Sequence, residues 1–99
     1  MELLDKNMEQ LSKLCTQYKV LKLYVFGSAL NEKFRLDSDI DFLVTFKSVE
    51  LTDFADNYFD FKFSLEDLFN RKIDLLEEKA IKNPFLKQSI GKSKELIYG

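Results

Sequence analysis

The stretch Asp39-Ile40-Asp41-Phe42-Leu43-Val44-Thr45-Phe46 leaves its backbone little choice. An apolar run of this length, broken by regularly placed polar residues, reads as a β-strand over about residues 40–46. Strand side chains alternate between faces, so Ile40, Phe42, Val44 and Phe46 project one way while Asp39 and Asp41 project the other. One face must be packed, and the other presents two carboxylates that can hold a cation.

The rest of the chain supplies the layers such a strand needs. Leu4, Met8, Leu11, Leu14, Cys15 and Tyr18 recur at helical spacing, so residues 1–18 read as one amphipathic helix. A first strand follows over residues 21–26. After the Gly27-Ser28 turn, residues 29–33 suit a short helical turn and residues 34–38 a polar loop. Over residues 52–70, Phe54, Tyr58, Phe61, Leu65, Leu68 and Phe69 form a helical stripe, with Thr52 as N-cap and Asp53 in the first turn. Residues 59–65 also alternate like a strand, but the stripe holds over the whole segment and the helix is preferred. That choice leaves Phe59 and Phe63 off the stripe, either covered by a second layer or exposed. Residues 72–77 read as a third strand with Asp74 and Leu76 on one face. Asn83-Pro84 opens a last helix over residues 85–89, since proline suits the first helical position, and Gly91 interrupts or ends it. The expectation is one α/β domain over residues 1–99, with a small mixed sheet of three or more strands and helices packed mainly on one face.

Composition narrows the chemistry. Histidine is absent, which removes histidine-based nucleophilic triads, histidine general bases and histidine-liganded zinc. Cys15 is the single cysteine, so no intrachain disulfide forms, and its place on the apolar side of a helix assigns it to packing. The formal charge of −2 provides no general basic surface, and sequence-specific nucleic-acid binding is not indicated. No apolar run approaches the ~20 residues that span a bilayer. The opening Met1-Glu2-Leu3-Leu4-Asp5 lacks the regions of a signal peptide, so a cytoplasmic location without membrane partners is expected.

The carboxylates and the glycine turn suit each other. Asp39 and Asp41 offer hard oxygen ligands of the kind Mg²⁺ prefers while it retains waters and phosphate oxygens. Asp74, on another strand among apolar neighbours, is the natural third carboxylate. Gly27-Ser28 ends a strand in a turn whose backbone N–H groups and hydroxyl suit phosphate oxygens. Metal on the aspartates and phosphate on the turn describe a site for a nucleoside triphosphate, with a second metal near Asp74 to activate an acceptor hydroxyl. A calcium loop is excluded, because Phe42 stands where its glycine is required and Ser48 where its bidentate glutamate is required.

Gly27-Ser28, ten intervening residues, Asp39-Ile40-Asp41 and the later Asp74 within Arg71-Lys72-Ile73-Asp74-Leu75-Leu76 resemble the DNA polymerase beta-like nucleotidyltransferase superfamily, in particular its minimal MNT-type members. The resemblance extends over nearly the whole chain. It implies that Gly27 and Ser28 hold the triphosphate, that Asp39 and Asp41 ligate Mg²⁺, and that Asp74 completes a two-metal site and assists the attacking hydroxyl. It further implies transfer of a nucleoside monophosphate, AMP from ATP, to a hydroxyl of a separate HEPN-domain partner, as the antitoxin of a HEPN/MNT toxin–antitoxin pair. Relatives often place a basic residue directly after Gly-Ser, whereas this chain has Ala29-Leu30-Asn31-Glu32, which moves that task to Lys33 or Arg35. The same departure motivates a rival expectation, a non-catalytic module that neutralises a partner by association. Transfer to a small molecule such as an aminoglycoside ranks lower, because a chain this short has little room for an acceptor pocket. Phe59 and Phe63 are a candidate partner surface or a homo-oligomer contact.

Overall fold

The computed structural model describes residues 2–27 and 39–99. The helical turn expected at residues 29–33, the loop at 34–38, and with them Ser28, Lys33 and Arg35, lie outside the described residues. Among those described, the order is α1 (Glu2–Lys6), α2 (Met8–Gln17), β1 (Val20–Phe26), β2 (Ile40–Phe46), α3 (Leu51–Phe69), β3 (Ile73–Glu77), α4 (Pro84–Ser93) and β4 (Glu95–Tyr98). The four strands form one mixed sheet in the order β3-β2-β1-β4. β1 runs antiparallel to β2 and β4, and β2 runs parallel to β3.

The alternation of β2 sorts the layers. Ile40, Phe42, Val44 and Phe46 are buried in one cluster with Leu23 and Val25 of β1, Ile73 and Leu75 of β3, Leu11 and Cys15 of α2, and Phe61, Leu65 and Phe69 of α3. Val20 and Leu23 are three apart yet both buried, because a bulge between Val20 and Lys22 resets the alternation of β1. Phe46 meets Phe54 and Phe61 edge-on at 5.7 and 6.0 Å, an aromatic geometry that adds to simple burial. Cys15 is fully covered, and burial pushes its thiol up to about 12, so it packs as expected and holds its proton.

α1 to α3 cover this face, and α4 lies over part of the other. Leu43 and Ile90 are buried but stand outside the main cluster. Leu43 pairs with Tyr24 on the second face, and the Lys94 Nζ at the end of α4 sits 4.4 Å above the Tyr24 ring. No helix of the described residues is long and apolar enough to cross a membrane.

Several local expectations are corrected. The N-terminal helix is two helices broken at Asn7, whose side-chain amide donates to the Leu3 carbonyl at 2.8 Å while its backbone departs from helical geometry. α3 is a helix throughout, but it is preceded by Glu50 rather than capped by Thr52, which lies inside its first turn. α4 runs through Gly91 to Ser93. A mid-helix glycine costs only about 1 kcal/mol, and Pro84 at the start, with Asn83 Oδ1 accepting from the Phe85 and Leu86 N–H groups, anchors the helix. The tail after α4 is a fourth strand, registered on β1 through Leu23 with Tyr98 and Tyr24 with Leu96.

Candidate active site

A single row across the sheet assembles the acidic group. Phe26 at the end of β1 pairs with Asp41, and Asp41 pairs with Asp74 on the parallel strand β3. The row lies on the face opposite the main core, beyond the part that α4 covers. Asp39 precedes Asp41 by two residues and completes the trio. Asp41 therefore stands between the charges of Asp74 and Asp39 at one end of the second sheet face.

Their proximity has an electrostatic signature. Asp41 is raised above its ordinary 3.8, first by partial burial, then by the neighbouring charges of Asp74 and Asp39. Asp39 and Asp74 are exposed. Among the described residues no group of three side chains stands ready to hold a metal ion unaided. The donor chemistry nevertheless fits a hard divalent cation that takes its remaining ligands from water and phosphate, because a cation would relieve the repulsion Asp41 now bears.

Gly27 belongs to the same unit. Its φ of +72° is one that residues with a Cβ rarely adopt. A Cβ placed there would lie 2.5 Å from Asp41 Oδ2, so the turn passes directly against the carboxylate. Of the residues expected to bind nucleotide, Gly27 is thus beside the acidic row, while Ser28, Lys33 and Arg35 are outside the described residues.

α3 holds β3 in place through contacts that hydrophobic periodicity does not reveal. The Tyr58 hydroxyl donates to the Leu75 carbonyl, and the Glu66 carboxylate accepts from the Ile73 N–H at 3.2 Å. These bonds bracket Asp74 on either side. Tyr58 is itself held above its ordinary value by burial and then by the charge of Asp74. A hydroxyl on a stripe otherwise built of Phe and Leu was the available signal for Tyr58; Glu66 offers none beyond its reach. Asn70, left-handed at φ 52°, ends α3 and turns the chain toward β3.

The family model for polymerase beta nucleotidyltransferases matches residues 9–99. The chain belongs to that family. This nucleotidyltransferase is 40% identical over 82 residues to a "putative protein adenylyltransferase" of Methanocaldococcus jannaschii, covering 83% of this chain and 79% of that one. A solved "putative minimal nucleotidyltransferase" superposes with a TM-score of 0.78 at 26% identity, over 95% of this chain and 92% of the other. The fold also matches, with a TM-score of 0.65 at 18% identity, a chain in the solved complex of a tri-AMPylated Shewanella oneidensis HEPN toxin with an MNT antitoxin. That match covers 96% of this chain and 71% of the other.

Proposed function

We propose that this nucleotidyltransferase transfers AMP from ATP to a hydroxyl of a protein partner, and that it serves as the antitoxin of a HEPN/MNT pair in the cytoplasm. The observation that carries the reading is the row of coupled aspartates against Gly27 at the open end of the sheet. Likeness to adenylyltransferases supports the donor, and likeness in fold to a member of a HEPN–MNT complex supports the partner.

In this mechanism Asp39 and Asp41 would hold Mg²⁺, and Asp74 would contribute to a second metal position. Bound there, the metal neutralises charge on the phosphate oxygens. Gly27 and Ser28 present backbone N–H groups and a hydroxyl to the triphosphate, with Lys33 or Arg35 supplying positive charge. The acceptor oxygen attacks the α-phosphorus, the bond to the β-phosphate oxygen breaks, and pyrophosphate leaves. Asp74, exposed beside Asp41, receives the hydroxyl proton.

Incubation with α-labelled ATP, Mg²⁺ and the protein encoded by the adjacent gene tests this. Label is expected on the partner with the wild type and not with Asp39→Ala or Asp41→Ala. Neutralisation of the partner that survives both substitutions, with no label transferred, would overturn the catalytic reading in favour of association alone, which the Ala29-Leu30 departure favours.

A further inference from the structure

The outer face of α3 carries a second functional feature. Phe59 and Phe63 are 48% and 54% exposed, with rings stacked at 6.1 Å and 28°. No second layer covers them among the described residues. Asp56, Asp60 and Asp67 are exposed along one side of these rings at helical spacing. α3 holds five carboxylates and one lysine, whereas the whole chain has 17 acidic and 15 basic residues, so the acidic excess is concentrated on this helix.

The patch adjoins the contact by which α3 holds β3. Phe59 meets Tyr58 edge-on at 5.0 Å, and the Tyr58 hydroxyl holds the carbonyl of Leu75, the residue after Asp74. A mostly apolar groove of about 480 Å³ lies between α3 and the β3 edge, lined by Phe54, Tyr58, Leu75, Leu76, Ile81 and Leu86.

Charge decides between two occupants. A second copy packed antiparallel across the Phe rings would set the Asp56, Asp60 and Asp67 row against its own image, and like charges so placed oppose association. A partner with an apolar ridge flanked by Lys or Arg meets both the rings and the carboxylates.

We infer that the outer face of α3 docks the acceptor protein through such a basic-flanked apolar ridge. The inference rests on the proposed protein acceptor and extends it to a surface. Its test measures binding separately from transfer, using the purified product of the adjacent gene as probe. Titration by calorimetry is run on the wild type, Phe59→Ser/Phe63→Ser and Asp56→Lys/Asp60→Lys, with ATP affinity measured in parallel. Each double variant is expected to lose at least tenfold in partner affinity with ATP affinity unchanged, and added salt is expected to weaken the wild type more than the charge-reversed variant. Partner binding that ignores both substitutions overturns the docking surface and leaves the acceptor reading standing. Self-association of the wild type that the serine pair abolishes assigns the surface to a second copy instead. No binding by the wild type at tens of micromolar removes the partner reading and the surface with it.

Discussion

On one face of the sheet Ile40, Phe42, Val44 and Phe46 are buried beneath α1 to α3; on the other the same strand presents Asp41, Leu43 and Thr45, of which only Leu43 is fully covered. The covered face accepts only matched apolar shapes. The second face tolerates Asp41 beside the charges of Asp74 and Asp39, and a polar pair, Thr45 donating to Glu78 at 2.6 Å. Neighbouring residues of one strand thus answer to different demands, and changes to them should separate stability from transfer.

Phe42→Ala should give the largest stability loss, about 3–5 kcal/mol, because it empties a fully buried site against Phe69. Asp41→Ala, one residue away, should abolish transfer while leaving the urea midpoint at or above that of the wild type. Equal destabilisation by both would end the comparison between faces. Gly27→Ala links the two properties. It should lower stability by about 1–3 kcal/mol through its left-handed φ, and depress transfer by driving a methyl group into the Asp41 carboxylate.

Smaller effects sharpen the picture at β3. Tyr58→Phe should cost about 1 kcal/mol, the net worth of one hydrogen bond, and reduce the transfer rate with little change in ATP affinity, because the strand carrying Asp74 loosens. The pH response of Asp41 has a definite sign. Its folded value is raised above 3.8, so its contribution to stability is full below that pH and lost as pH rises through the folded value. Urea midpoints of Asp41→Asn should therefore gain on those of the wild type as pH rises from 4 to 7. Mg²⁺ at pH 7 should raise the wild-type midpoint and not that of the variant, as a ligand that binds only the folded state must.

Elements with a strong period were legible in the sequence. β2 matched its expected bounds, and α3 held its stripe despite the alternation of residues 59–65. The acidic trio was legible because Asp41 and Asp74 each interrupt an apolar run and Asp39 stands two residues before Asp41, although only the parallel β2–β3 register reveals that Asp41 and Asp74 stand side by side. β4 was not legible, since Glu95-Leu96-Ile97-Tyr98 is too short to show a period and gains its strand state from pairing with distant β1. The break at Asn7 depends on one side-chain bond, and the continuation through Gly91 depends on the Asn83 cap outweighing a modest glycine penalty. The contacts of Tyr58 and Glu66 with β3 escaped for a related reason, being tertiary bonds made by residues that look ordinary on a helix.

The contact between Gly27 and Asp41 follows from the pairing of Phe26 with Asp41, so it is a property of two adjacent strands. A slip of one residue in the β1–β2 register would therefore move Gly27 off the Asp41 carboxylate and turn that carboxylate toward the other face of the sheet. Strand register, which the whole sheet fixes, thus sets the spacing on which the candidate site depends.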